Sequence, residues 1–269
     1  MKNAIAVGTI GIGLSFAMLA FGYMAGSGTA DGPRATPNAV QTAGLDRNAI
    51  EAIVRDYLVS NPEIMLDVQV ALEEQQDAER RMAQSGTISE SSDLIFNAGY
   101  DGLVGNPEGD ITIVEFFDYN CGYCERALSD MQALVADDPK LRFVLKEFPI
   151  LGPDSQKAHV VSMAFQALAP DKYGEFHQAL LGYPGRANEA SAMKIALSFG
   201  VDEAALREAM TNPDINAAFG ETYALATQLA ITGTPSYVVG SEVIFGAQGR
   251  DALAEKIAAA RECAVTAVC

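Results

Sequence analysis

The sequence predicts an α/β protein whose small, mostly buried sheet is interrupted by a block of helices, with a helical arm and an apolar segment in front. Three observations predict it. Ile111–Phe117 and Leu141–Glu147 are nearly all apolar and β-favouring, and a helical pattern lies between them, which is the order of a βαβ unit buried on both faces. Helical patterns alone then fill about 75 residues, from 153 to 229. Two short strand patterns, Ser236–Val239 and Val243–Phe245, return as a hairpin, and Arg250–Arg261 reads as a last helix.

The chain has 269 residues, enough for one large domain or two modest ones with appendages. A net charge of −17 argues against nucleic acid and anionic membrane surfaces as partners.

At the N-terminus no charge follows Lys2 until Asp31, and Ala4–Ala25 is an apolar span of 22 residues. At about 1.5 Å per residue it is long enough to cross a bilayer core of about 30 Å. Small residues at 25–30 are compatible with cleavage but form no clean Ala-x-Ala site. Residues 1–30 are therefore expected to be a signal peptide or an uncleaved anchor. Either exports the rest of the chain, because the flanking positive charge precedes the span.

Residues 31–45, rich in Thr, Pro and Ala, read as a linker. Asp46 can cap a helix that carries Ile50, Ile53, Val54, Tyr57 and Leu58 on one face, and Pro62 can open a second helix running to about Gln84. Its stripe of Met65, Val68, Leu72 and Met82 needs a partner, either the domain itself or the same helix from another subunit. Residues 46–84 are thus a candidate homo-oligomerisation arm. Gly86–Ser92 reads as a shorter linker, Leu94–Phe96 as a short strand and Asn106–Asp110 as a turn. The core is then expected in two halves, 93–152 and 230–262, around a helical insertion at 153–229 and before a Cys-containing tail at 263–269. Within the insertion the helices are expected at Ser155–Leu168, Tyr173–Leu181, Glu189–Phe199, Glu203–Met210 and Ile215–Leu229.

The chemistry centres on Cys121-Gly122-Tyr123-Cys124, which follows the first strong strand at the start of a helix. Unsatisfied backbone N–H groups at a helix N-terminus favour a thiolate, and a second cysteine one turn on can close or resolve a disulfide. Buried structural cysteines or half a zinc site are the alternatives. A structural zinc site needs four ligands, and the chain has only two histidines, His159 and His177, both among helical apolar residues where a structural role fits better. No metal site is assigned. Cys121 is expected to be the nucleophile and Cys124 the resolving thiol. Gly122 and Tyr123 bring no positive charge, which points to a less extreme, less oxidising dithiol. Glu115, a carboxylate in an apolar strand, must be paired or working, with Lys146 on the next strand as the expected partner. A solvent-facing Glu and an edge Lys are the alternative. Cys263 and Cys269 suit a local structural disulfide; a second redox pair or a copper site with an external ligand stays open.

Phe116-Phe117-Asp118-Tyr119-Asn120-Cys121-Gly122-Tyr123-Cys124-Glu125-Arg126, together with Gly233-Thr234-Pro235, resembles the DsbA-like thioredoxin-fold periplasmic thiol:disulfide interchange proteins, in their ScsC-like branch, over about residues 46–262. The resemblance implies a thioredoxin fold with an inserted helical domain, and a cis-proline loop at Thr234-Pro235 facing the dithiol. It implies substrate contacts by Gly122, Tyr123, Thr234 and Pro235, and Glu115 as the acid beneath the dithiol that shuttles the Cys124 proton. It implies a periplasmic location and no cofactor. The expected partners are cysteine-containing exported proteins as substrates and a membrane or soluble redox partner. Gly-Tyr between the cysteines and Thr before the proline resemble the isomerase and reductase members more than the strongest oxidases. Net oxidation is the alternative direction, and a copper-handling or chaperone module the alternative class.

Overall fold

The computed structural model describes residues 46–266. The apolar span at 4–25, the linker at 31–45 and Cys269 lie outside the described residues. Among the described residues no helix is long and apolar enough to cross a membrane. The chain divides into two compact units between Met65 and Leu66.

The first unit holds helix α1 (Arg47–Ser60), whose N-cap Asp46 accepts the Ala49 N–H at 2.7 Å. No residue of α1 is buried, and Ile50, Ile53, Val54 and Tyr57 are exposed. Helix α2 (Glu63–Glu90) opens just after Pro62 and enters the second unit, where Leu66, Val68, Val70 and Leu72 are likewise exposed. The helix does not end near Gln84, and the expected linker at Gly86–Ser92 is largely its last turn. Ile88 is buried there, and the buried Gln84 amide donates to the Leu229 carbonyl at 2.7 Å. Those contacts outweigh the roughly 1 kcal/mol that a glycine costs inside a helix.

Leu94–Phe96 is also not a strand. It belongs to a one-turn helix, α3 (Ser92–Phe96), in which the Ile95 N–H bonds the Ser91 carbonyl at 2.9 Å and only Ile95 is buried. Strand β1 is instead Gly102–Gly105, whose two glycines hide the hydrophobic signal. Gly102 is required because a Cβ there would lie 1.9 Å from the Tyr173 ring.

Strands β2 (Ile111–Phe117) and β3 (Leu141–Glu147) flank helix α4 (Gly122–Asp137) as a parallel βαβ unit, and Asp138 caps α4 before Pro139. Strands β4 (Ser236–Val239) and β5 (Glu242–Phe245) form the hairpin, and the sheet order is β1-β3-β2-β4-β5. Between β3 and β4 come α5 (Pro153–Leu168), a 3-10 turn at Pro170–Lys172, α6 (Tyr173–Leu181), α7 (Glu189–Ser198), α8 (Glu203–Ala209) and α9 (Pro213–Gln228). The last helix, α10 (Arg250–Thr266), runs past Arg261, so the expected tail at 263–269 begins as helix.

Both faces of the sheet are covered. Ile113, Phe117, Phe143 and Leu145 join a core that includes Phe165 and Phe176 of the insertion, whose rings stack at 4.3 Å. Val114, Phe116 and Val144 pack with Ile88, Ile95 and Leu225 on the other side. The parallel register sets Glu115 opposite Leu145 and Phe116 opposite Lys146. Register partners share a face, so Lys146 points away from Glu115 and cannot be its partner. Its ammonium lies 2.5 Å from Asp101 and also donates to the Leu94 carbonyl, all in a buried setting.

Removing one member of a buried ion pair strands the other. Lys146→Met is expected to lower unfolding stability by about 3–5 kcal/mol, measured by denaturant melts, while leaving the Cys121 thiol titration where it is. Unchanged stability, or a moved thiol, contradicts this placement.

Candidate active site

Strand β2 ends at Phe117, and the next four residues are held by their own side chains and by the helical insertion. Asp118 Oδ1 accepts the Asn120 N–H at 2.8 Å and the Ser155 hydroxyl at 2.7 Å, and Oδ2 accepts the Leu151 N–H at 2.9 Å. The Asn120 side chain donates to Ser155 Oγ and the Ala187 carbonyl, both at 2.9 Å, and accepts the Ala187 N–H at 2.8 Å. The Tyr119 N–H donates to His159 Nε2 at 3.2 Å, and His159 Nδ1 bonds Glu147. Glu147 also accepts the hydroxyls of Ser162 at 2.6 Å and Tyr173 at 2.9 Å. Burial and then the neighbouring His159 push the His177 pKa down to about 3. His177 Nδ1 meets the Tyr119 hydroxyl at 3.3 Å, so both histidines brace the loop from behind.

This bracing delivers Cys121 as the N-cap of α4, its N–H bonded to the Asp118 carbonyl at 2.9 Å. Cys121 keeps 8% of its surface exposed and Cys124, one turn in, keeps none; both are free thiols. The Thr234-Pro235 peptide is cis, and the Thr234 carbonyl lies 3.1 Å from Cys121 Sγ. Tyr123 projects into solvent, with the Arg126 guanidinium 4.2 Å above its ring.

The hydrogen bond from the Cys124 thiol lowers the Cys121 pKa to about 5, aided by the Thr234 side chain and the backbone N–H groups of Cys124 and Tyr123, against the opposing effect of burial. No lysine, arginine or histidine is among these causes. Burial, then the neighbouring Cys121, then the Glu115 charge push the Cys124 thiol far above the usual thiol range. Glu115 is buried on the dithiol face of the sheet; burial and then the Cys121 charge raise its pKa to about 8, while a Tyr237 hydrogen bond pulls it down.

The structure thus brings Cys121, Cys124, Gly122, Tyr123, Thr234, Pro235 and Glu115 together and leaves Lys146 on the opposite face. Cys263 lies on α10 and is disulfide-bonded; Cys269, its expected partner, is outside the described residues. Among the described residues no cluster of three or more His, Cys, Asp or Glu side chains could hold a metal ion. Sequence reasoning missed Asp118 and Tyr237. Asp-x-Asn ahead of the first cysteine is an Asx-turn signal that could have found the first. Counting the register outward from Thr234-Pro235 could have found the second.

Residues 112–258 match the model of the DSBA-like thioredoxin domain, and residues 46–79 match the copper resistance protein ScsC N-terminal domain. The chain belongs to the DSBA-like thioredoxin family, as a ScsC-like member. A thioredoxin-like oxidoreductase from Silicibacter pomeroyi is 41% identical, with a TM-score of 0.60, covering 63% of this chain and 97% of its own. The thiol-disulfide exchange protein alpha-DsbA2 from Wolbachia pipientis is 28% identical, with a TM-score of 0.62 and coverage of 67% and 97%. Proteus mirabilis ScsC in a compact conformation is 26% identical, with a TM-score of 0.58 and coverage of 79% and 96%. Among curated proteins, the Na(+)/H(+) antiporter NhaA 1 of Salinispora arenicola is 24% identical over 160 residues, and the chain spans only 24% of its length.

A depressed pKa means that the Cys121 thiol persists as thiolate well below neutrality. Alkylation of the reduced protein at Cys121 is expected to rise with pH around a midpoint of about 5, against about 8.5 for a free thiol, and to be flat from pH 7 upward. A rate still climbing through pH 8 contradicts the site as described.

Proposed function

We propose that the protein is an extracytoplasmic thiol:disulfide oxidoreductase that acts on exported, cysteine-containing proteins, its favoured direction being rearrangement or reduction of disulfides. The observation that carries this reading is the asymmetry of the two thiols. Cys121 keeps 8% of its surface exposed and is held as a thiolate, whereas Cys124 is fully buried and holds its proton.

Cys121 attacks a substrate disulfide, forming a mixed disulfide and releasing one substrate thiolate. Once the Cys121 charge is consumed in that bond, the repulsion that helps hold Glu115 protonated disappears. The carboxyl then ionises beneath Cys124 when a base is needed there. Glu115 takes the Cys124 proton, Cys124 attacks Cys121 Sγ, and the second substrate thiolate leaves with both electrons of the dithiol.

The direction follows from competition for the mixed disulfide. A low-pKa sulfur is a good leaving group, and the high pKa of Cys124 slows resolution from within. A second substrate cysteine then has time to displace Cys121, which rearranges the substrate and returns the enzyme reduced. A thiolate held near pH 5 lies between the strongest oxidases, at about 3.5, and thioredoxin, at about 7. Thr234 and Pro235 offer the backbone on which an extended substrate segment pairs, and the apolar span at 4–25 supports export to the periplasm. The exposed apolar residues of α1 and the first half of α2 support self-association through residues 46–84, with a second copy of the arm as the occupant.

Cys121→Ser is expected to reduce the rescue of a scrambled-disulfide substrate to the uncatalysed rate, and Cys124→Ser to accumulate mixed disulfides on non-reducing gels. An active Cys121→Ser protein overturns the assignment. In solution the exported chain is expected to have a mass above one chain by light scattering and to become monomeric with Ile53→Glu and Leu66→Glu together. A monomeric wild type overturns the oligomeric reading.

A further inference from the structure

Strand β4 supplies more than the Thr234-Pro235 peptide. Its antiparallel register with β2 sets Tyr237 directly opposite Glu115. Directly opposed residues share a face, with Cβ atoms about 5 Å apart. The two side chains are 1% and 3% exposed, and hydrogen bonding by the Tyr237 side chain draws the Glu115 pKa down against the effect of burial. A phenylalanine would fill the same apolar space without burying a hydroxyl, whose burial is costly unless it is bonded. The hydroxyl is therefore the part of this residue that packing does not explain.

We propose that Tyr237 is a positioning residue for Glu115: its hydroxyl donates to the ionised carboxylate, fixes it beneath Cys124 and sets the pH at which it accepts the Cys124 proton. The inference rests on Glu115 serving as the base of the resolving step. The charged groups that act most strongly on Tyr237 are Glu115 from β2 and Cys121, Cys124 and Asp130 from α4. Every one of them is an acid. With no cation in the set, the ionised Glu115 depends on a neutral donor, and Tyr237 is the one that the strand register delivers.

In the step concerned, the proton of Cys124 Sγ passes to the Glu115 carboxylate. The Cys124 sulfur then forms a bond to Cys121 Sγ as the Cys121–substrate bond breaks, and the substrate sulfur departs with that electron pair. The dithiol loses two electrons and the substrate gains them. Glu115 afterwards returns its proton to solvent or to the departing thiolate. Tyr237 transfers nothing in this sequence; it stabilises the form of Glu115 that can begin it.

Tyr237→Phe removes only the hydroxyl. The full chain is reduced and mixed in stopped-flow with an aromatic disulfide that releases a coloured thiolate. The first equivalent reports attack by Cys121 and the second reports resolution by Cys124. Tyr237→Phe is expected to leave the first phase and its pH profile unchanged. It is expected to slow the second phase about three- to tenfold near pH 7, with its midpoint moved upward by up to about one pH unit. Glu115→Gln is expected to slow the second phase and flatten its pH dependence. A Tyr237→Phe second phase that superimposes on the wild type while Glu115→Gln slows it overturns the role of Tyr237 and leaves that of Glu115 standing. A Glu115→Gln protein with an unaltered second phase overturns the underlying reading. Equal slowing of both phases by Tyr237→Phe marks a packing defect and also overturns the proposal.

Discussion

Among the described residues the Cys121 sulfur anion is held at the mouth of α4 by neutral donors, with no cation among the leading influences on it, and much of the architecture around the dithiol follows from that constraint. Neutral donors act only at hydrogen-bond range, so the loop that carries Cys121 must be placed to a fraction of an ångström. Asp118, Asn120 and the Tyr119 N–H are tied to Ser155, Ala187 and His159, all supplied by the helical insertion. The insertion therefore serves the chemistry as a brace. It fixes the cap of α4 from behind and leaves Cys121 with 8% of its surface exposed.

Charge is sorted by the sheet. β2 carries one ionisable residue, Glu115, and β3 carries three, Arg142, Lys146 and Glu147; the parallel register sends Glu115 and Lys146 to opposite faces. Glu115 lies with the dithiol, where burial and then the charge on Cys121 hold its pKa up. Lys146 lies with Asp101, and that pair joins β3 to the chain just before β1. A lysine beside Glu115 would hold the carboxylate ionised through every state of the dithiol and remove its ability to respond. In the proposed reaction, separating them allows one acid to be protonated before substrate attack and basic afterwards.

Strong periodic signals were legible in the sequence and context-dependent ones were not. Ile111–Phe117, the helix from Gly122 and the hairpin after Pro235 carry their own pattern, and the cysteine pair and Thr-Pro mark the reactive face. β1 escaped because Gly102 and Gly105 carry no side chains, and the reason for Gly102, the Tyr173 ring, lies 71 positions further on. The end of α2 escaped because Gln84 and Ile88 are held by partners distant in sequence, including the Leu229 carbonyl. Lys146 was paired wrongly because alternation within a strand gives its two faces but not the register with its neighbour. The same gap hid Tyr237, which is one more aromatic residue in a strand until β4 is laid against β2.

The central claim is that the fold stabilises the Cys121 thiolate, and hence the reduced protein, relative to the disulfide form. A thiol whose folded pKa is depressed contributes stability that is fully present above its unfolded value, near 8.5, and is lost as pH falls through the folded value, near 5. The disulfide form has no such contribution. The most direct test compares the unfolding free energies of the reduced and oxidised proteins from pH 3.5 to pH 8. The account predicts that the reduced form gains stability over the oxidised form steadily between about pH 5 and pH 8, with no gain below pH 4.5. A difference that stays constant with pH, or one that favours the oxidised form as pH rises, would contradict it.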